Sequence, residues 1–171
     1  ITIDGVGEWA TTTLGHGRGN NLEIIKQINY PHSLGLLYSA FTYFCGFKIN
    51  SGEYKLMGLA PYGDPIYYQK IKDMLIDIKP DGSYRLNLEY LRYHRENATV
   101  GEEFERLFGG PPREGESLIT KREMDLAASI LARGGRGFMR FLRMGGLSME
   151  KFPVARSSPA STTATKRPHA S

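Results

Sequence analysis

A helix with two different faces is the feature that most restricts how this chain can fold. After the turn Pro31-His32-Ser33, large side chains recur at helical spacing: Leu34, Leu37, Tyr38, Phe41, Phe44 and Cys45. Small residues line much of the other side: Gly35, Ser39, Thr42 and Gly46. Small residues allow a second element to approach closely, so such a helix is packed from both sides, as in a layered α/β domain. We predict that Ser33 is its N-cap.

The segments before this helix predict a small antiparallel sheet. β-branched and apolar residues are concentrated in three short stretches: Ile1–Asp4, Trp9–Thr13 and Leu22–Ile28. The glycine-rich run Gly15–Asn20 separates the second stretch from the third, and such runs favour turns. We therefore predict a hairpin or meander whose turn is Gly15–Asn20.

The segments after the helix are mixed. Residues Ile66–Ile78 have the apolar spacing of an amphipathic helix, and the turn Pro80-Asp81-Gly82 follows them. Alternation from Tyr84 to Tyr90 predicts a half-exposed strand. The polar, glycine-rich stretch Tyr93–Gly115 predicts a surface loop with a short turn at Phe104–Phe108. Together these segments predict an α/β fold class.

The composition changes after the last predicted helix, which a capping-box pattern at Thr120–Glu123 begins. The residues before Arg133 include 14 basic and 17 acidic side chains, whereas Arg133 and the residues after it include 8 basic and 1 acidic. The basic character therefore belongs to the tail. We predict an α/β domain over residues 1–130 and a basic, disordered tail over residues 131–171, because the tail is poor in apolar groups. Its origin is either out-of-frame sequence or a native basic extension.

Composition also limits the expected compartment and partners. The single cysteine, Cys45, excludes an internal disulfide and suits a small buried hydrophobe. No apolar run approaches the roughly 18 to 20 residues that a membrane span needs, so no membrane partner is expected. The tail lacks the interleaved aromatic residues that stack on bases, which argues against nucleic acid as a partner. We expect a fragment of a cytoplasmic protein that begins inside a domain at Ile1.

The stretch Asn50–Gly63 is the first candidate site. It places a carboxylate and an amine, Glu53 and Lys55, after Gly52 on a predicted turn stiffened by glycine and proline. Glycine and proline fix the shape of a backbone rather than bury area, so this turn is more elaborate than a connection requires. The pair is either a ligand site or a surface salt bridge worth under about 1 kcal/mol.

The turn that follows the first strand is the second candidate site. Asp4 precedes Gly5 and Gly7, and glycine turns of this kind let backbone N–H groups cradle an anion. From the residues alone, an ordinary Asx-turn aspartate is the favoured interpretation of Asp4. His32 lies before a helix N-terminus and can exchange a proton near neutral pH, or it can be structural.

Four motifs in order give the chain its resemblance to a family. They are Asp4-Gly5-Val6-Gly7-Glu8-Trp9, Tyr30–Tyr38 (YPHSLGLLY), Asn50–Gly63 (NSGEYKLMGLAPYG) and Asp125–Ile130 (DLAASI). Over about residues 1 to 130, the chain resembles the carbamoyltransferases of the nodulation-protein-U and cephamycin type. The resemblance implies an amino-terminal transfer domain with an actin/sugar-kinase/Hsp70-like fold, of which this chain is a fragment. It also implies a separate carboxy-terminal domain that forms carbamoyl-adenylate from carbamoyl phosphate and ATP.

The resemblance assigns roles to individual residues. It implies that Asp4 is a ligand of a divalent metal, with Fe2+ expected, together with an upstream His-x-x-x-His motif that this chain lacks. It implies that Gly5 and Gly7 contact phosphate oxygens, and that the Gly52–Lys55 stretch holds the nucleotide. Glu8 and Trp9 are expected to line the acceptor pocket, although Trp9 has the alternative of belonging to the core. Asp125 is expected to lie in the first turn of its helix, where the helix dipole favours a carboxylate.

The function that this resemblance implies is transfer of a carbamoyl group to the hydroxyl of a small-molecule acceptor, with His32 as the candidate catalytic residue. Because part of the implied metal site lies outside the chain, we expect the chain to be inactive alone. The alternative is a non-catalytic actin-like module that binds a nucleotide or a partner.

Overall fold

A computed structural model describes residues 1–95 and 98–131 of the chain. The first sheet consists of β1 (Thr2–Ile3), β2 (Ala10–Arg18) and β3 (Asn21–Asn29), in that order and antiparallel. The predicted hairpin is confirmed, but the predicted turn is wrong in extent. Residues 15 to 18 continue β2, and the turn is Gly19-Asn20. Gly15 pairs with Ile24 beside a register shift, where β3 contains one extra residue, Ile25, as in a β-bulge.

The central helix α1 (Leu34–Phe44) begins as the sequence predicts. Ser33 is its N-cap, and the Ser33 Oγ accepts a hydrogen bond from the backbone N–H of Leu36 at 3.0 Å. Cys45 is buried at the end of the helix, which confirms the prediction of a small buried side chain.

A short helix follows where the sequence predicted a stiffened turn. The stretch Asn50–Gly63 contains α2 (Glu53–Leu59) and a 3₁₀ turn (Ala60–Tyr62). Leu56 and Leu59 are buried beneath this helix. The prediction of a turn was wrong because these apolar side chains find a core to pack against, which local propensity does not reveal.

The predicted helix over Ile66–Ile78 is two elements. Helix α3 is Tyr68–Met74, and strand β4 (Ile76–Ile78) pairs antiparallel with β5 (Tyr84–Leu86). Ile76 faces Leu86 in this pair, so pairing across the turn overrides the helical pattern. The strand predicted to reach Tyr90 ends at Leu86, where the Asn87 N–H donates instead to the carbonyl of Leu75 at 2.9 Å.

Helix α4 (Glu102–Phe108) lies inside the predicted surface loop. The predicted short turn at Phe104–Phe108 is thus most of a helix, and both phenylalanines are almost fully buried. They pack edge-on against Phe41 and Phe44 of α1, with ring centroids 5.0 to 6.1 Å apart. This four-ring cluster is the centre of the core, so the prediction of a loop was wrong.

Helix α5 (Lys121–Leu131) begins at the predicted capping box. The Glu123 carboxylate accepts the backbone N–H of Thr120 at 2.8 Å, as a capping box requires. The Thr120 hydroxyl donates to the same carboxylate oxygen at 2.5 Å. The structure is therefore mixed α/β. The predicted tail, apart from Leu131, lies outside the described residues. Within the described residues, no helix has both the length and the apolar character to cross a membrane.

Candidate functional site

Ser33 fastens the loop that follows β1 to the start of α1. Its hydroxyl lies 3.0 Å from the carbonyl oxygen of Asp4 and 2.5 Å from that of Gly5, and it shares its proton between them. The backbone N–H of Asp4 donates to the carbonyl of Thr11 on β2 at 2.9 Å. One side chain thus caps the helix and holds the Asp4–Gly5 backbone against it.

Gly35 allows the same loop to approach the helix closely. A Cβ built at this position would lie 2.6 Å from the Asp4 carbonyl oxygen and 2.8 Å from the Gly5 Cα. Any larger residue would push the loop away from α1. The prediction that small residues on α1 permit close packing is therefore confirmed at Gly35.

The two glycines of the loop differ in what the backbone requires of them. Gly7 has a φ of 59°, in the left-handed region that other residues rarely adopt, and its added Cβ would lie 2.7 Å from the Ala10 carbonyl oxygen. Gly5 has neither constraint, and a Cβ there would meet nothing within 4 Å. The fold of the chain therefore explains Gly7 and leaves open space beside Gly5.

The Asp4 carboxylate is exposed at the end of β1. Its Oδ1 accepts the Gly5 N–H at 2.6 Å, an Asx-type contact, and its Oδ2 has no hydrogen-bond partner among the described residues. A hard carboxylate oxygen of this kind suits one position in the ligand set of a divalent metal. Residues 1–95 and 98–131 contain no cluster of three or more His, Cys, Asp or Glu side chains that could hold a metal. The free Asp4 oxygen therefore suits one position in such a ligand set, and the described residues do not complete that set.

The Glu53 carboxylate is occupied at the start of α2. One oxygen accepts the Asn50 N–H at 2.8 Å, and the other accepts the Gly52 N–H at 3.1 Å. The Ser39 hydroxyl on α1 also donates to the first oxygen at 3.4 Å. Glu53 therefore holds the backbone that leads into α2, which the sequence did not predict. Lys55 is exposed and has no ion-pair partner in the described part of the chain.

Helix α1 brings the two candidate stretches together. Gly35 contacts the Asp4 loop and Ser39 contacts Glu53, and residues four apart lie on the same helix face about 6 Å along the axis. Between them, the Tyr38 hydroxyl donates to the Glu53 carbonyl at 3.1 Å. Burial, with the nearby Glu53 charge, raises the pKa of Tyr38 to about 12 and keeps the phenol protonated as a donor.

His32 lies on another side of the helix start. Its Nδ1 accepts the backbone N–H of Leu86 on β5 at 3.2 Å, and its carbonyl accepts the Thr11 hydroxyl at 2.5 Å. Burial, reinforced by the charges of Arg85 and His94, lowers the pKa of His32 below its usual 6.5. The structure thus places His32 as a neutral link between α1, β2 and β5.

Two other predicted residues occupy positions that the sequence left open. Trp9 is 59% exposed, with its ring 5.7 Å from that of Tyr30, so it does not belong to the core. Asp125 is buried, accepts the Asp64 N–H at 2.7 Å and pairs with Lys121 at 3.0 Å. Its role is to fasten α5 to the end of the 3₁₀ turn. Only the tertiary contact reveals this, since Asp125 and Asp64 are distant in sequence.

Comparisons with known proteins identify the class to which this loop-and-helix arrangement belongs. A family model described as "Carbamoyltransferase N-terminus" matches residues 1–138. The chain therefore belongs to the carbamoyltransferase family, a family of transferases, as its motifs predicted. The match covers the candidate loop, α1 and α2.

Three curated relatives agree with this assignment. Uncharacterized protein sll1178 of Synechocystis sp. is 58% identical over 130 residues, which are 76% of this chain and 21% of that protein. Nodulation protein NolNO of Sinorhizobium fredii is 32% identical over 130 residues, covering 76% of this chain and 17% of the relative. Nodulation protein NolO of Bradyrhizobium diazoefficiens is 33% identical over 89 residues, covering 52% and 16%. The chain thus spans about a fifth, or less, of the relatives that it matches.

Proposed function

We propose that this chain is part of the transfer domain of an O-carbamoyltransferase. The reaction moves a carbamoyl group from carbamoyl phosphate, through carbamoyl-adenylate formed with ATP, to the hydroxyl of a small-molecule acceptor. The acceptor oxygen bonds to the carbamoyl carbon as the bond to the AMP oxygen breaks, so AMP leaves and the hydroxyl proton is released. Family membership supports the reaction class. The observation that carries the proposal is that α1 holds the Asp4 loop and the start of α2 on one face.

The two halves of this face suit different parts of the reactants. Asp4 would supply one carboxylate ligand to a divalent metal, Fe2+ being the expected ion, and a bound metal would polarise an oxygen of a reactant. Gly5, with open space beside it, and Gly7 leave the loop backbone accessible to phosphate oxygens. Glu53 and Gly52 keep the start of α2 in place, so that the exposed Lys55 amine can pair with an anionic nucleotide.

The remaining features of the proposal concern fold and assembly. We assign the domain to the actin/sugar-kinase/Hsp70-like type and expect a carboxy-terminal domain elsewhere in the polypeptide to form the carbamoyl-adenylate. His32 donates or accepts a proton in this proposal through Nε2, because Nδ1 already accepts the Leu86 N–H.

A chimera tests the proposal directly. The matching 130 residues of this chain replace those of the Synechocystis relative, and AMP release from ATP is measured with and without carbamoyl phosphate and a panel of hydroxyl acceptors. We expect carbamoyl-phosphate-dependent AMP release, which Asp4→Asn abolishes and the control Glu89→Gln, an exposed residue outside the candidate site, retains. If ATP binds, as measured by calorimetry, but no AMP forms under any condition, the chain is a non-catalytic nucleotide-binding module.

A further inference from the structure

An apolar stripe lies on the outer face of α2 and the 3₁₀ turn. It consists of Tyr54, Met57, Gly58, Pro61 and Tyr62, which share one face by helical spacing. The three large side chains of the stripe are 57% to 70% exposed. The opposite face of α2 packs Leu56 and Leu59 into the core. A helix that is apolar on both faces is typically buried on both faces. In the described structure, the core covers the face of α2 that carries Leu56 and Leu59, whereas the stripe is uncovered.

Gly58 is the residue of this stripe that the described fold does not explain. Glycine is unfavourable inside a helix, because it loses more backbone freedom on folding than alanine does. A Cβ at Gly58 would meet nothing within 4 Å, and its φ is not positive. At Gly35 and Gly63, by contrast, an added Cβ would collide with backbone atoms of Asp4 and Met124. The space beside Gly58 is therefore open to a segment that does not belong to the described residues.

The shape of the stripe favours a polypeptide as its occupant. Small-molecule sites are concave, whereas this surface is the convex ridge of a helix. A glycine on such a ridge lets the axis of a second helix approach closely, since interaxial distance depends on the side chains at the contact. At least 79% of the length of each relative lies outside the region that this chain matches.

We propose that the stripe docks an apolar helix from the part of the carbamoyltransferase polypeptide that lies outside this chain's match to its relatives. Tyr54, Met57 and Tyr62 supply the buried area, and Gly58 supplies the close approach. The proposal depends on membership of the family and not on the reaction proposed above. A failure of carbamoyl transfer therefore leaves it standing.

Thiol labelling measures whether the stripe is covered. Cys45 is fully buried, and burial raises the pKa of its thiol to about 12. The wild-type chain should therefore react very little with a thiol reagent. Met57→Cys places a reporter in the stripe, and Arg106→Cys places a matched control on the exposed face of α4. Each is modified with a maleimide, both in the 171-residue chain and in the Synechocystis chimera. We expect Met57→Cys to react severalfold more slowly in the chimera, while the Arg106→Cys rates stay equal.

Gly58→Ala supplies a second test, because it should have opposite effects on the 171-residue chain and on the chimera. In the 171-residue chain, alanine should raise the thermal unfolding temperature because its helix propensity is higher. In the chimera, the added methyl should lower that temperature or speed the modification of Met57→Cys, because it holds the docked helix away. Equal labelling rates in both proteins, with Gly58→Ala stabilising both, would overturn the proposal. Slow labelling of Met57→Cys already in the 171-residue chain would mean that the chain's own tail or a second copy covers the stripe. Protection of Met57→Cys by added ATP would mean that a ligand covers it. Either result would overturn the proposal.

Discussion

At the residue scale, the single hydroxyl group of Ser33 both caps a helix and holds a loop. It caps α1 through the Leu36 N–H, and it holds the carbonyls of Asp4 and Gly5. A capping serine is visible in the sequence, but its contact with a loop 28 and 29 residues away is not. The candidate site thus depends on a residue that sequence analysis assigned only to the helix.

We predict that Ser33→Ala lowers the free energy of unfolding by about 1–2 kcal/mol through the lost cap. It should also speed amide hydrogen exchange across residues 4–9, because the loop loses its anchor. Urea denaturation and exchange mass spectrometry measure the two effects. Ser33→Thr, which keeps the hydroxyl, is the matched control. Unchanged exchange in the loop of Ser33→Ala would show that the loop is held by other contacts.

His32 makes stability depend on pH. Its folded pKa is lowered, mainly by burial, so the unfolded chain takes up a proton at a higher pH than the folded chain does. The contribution of neutral His32 is complete above the usual pKa of 6.5 and is lost as pH falls from there towards the folded pKa.

We therefore predict that wild-type stability declines between about pH 7.5 and 5.5 more steeply than that of His32→Asn. Asparagine offers an oxygen that can accept the Leu86 N–H but does not titrate in this range. Urea denaturation at several pH values gives the difference. A parallel pH dependence in the two proteins would assign the decline to a group other than His32.

At the element scale, α4 shows how a core element can be hidden in a polar segment. Residues Tyr93–Gly115 are rich in charge, glycine and proline. Within this segment, the seven-residue helix α4 places the rings of Phe104 and Phe108 in the core. Their spacing of four is one helical turn, a signal too short to identify a helix by periodicity. Packing against α1 decides the structure of this segment.

We predict that Phe104→Ala lowers the free energy of unfolding by about 3–5 kcal/mol, because it removes a ring from the four-ring cluster and leaves a cavity. Leu118→Ala, at an 89% exposed position in the loop before α5, is the control and should change stability little. Chemical denaturation of both variants checks the contrast. Equal small losses would show that α4 is only loosely attached to α1.

At the scale of the whole molecule, the function that we propose divides its site between this chain and the rest of a longer polypeptide, since the chain matches about a fifth, or less, of each relative. The Asp4 loop and α2 both contact α1, whereas the described residues contain no group of three or more His, Cys, Asp or Glu side chains that could hold a metal. We therefore predict that the purified 171-residue chain releases no carbamoyl-phosphate-dependent AMP, while the chimera does. Radiolabelled ATP and thin-layer chromatography measure both. Transfer by the chain alone would show that it contains a complete site.

The sequence by itself determined the family, the start of α1, the hairpin, the buried cysteine and the capping box of α5. These features depend on local residue patterns, or on motifs that can be recognised by their order along one sequence. Tertiary structure decided the rest: the split of residues 66–78 into helix and strand, the burial of α4, the contact of Glu53 with Ser39 of α1 and the contact of Ser33 with the Asp4 loop. The physical reason is that each of these depends on pairing or packing between distant residues, and such contacts outweigh local propensity without leaving a local pattern.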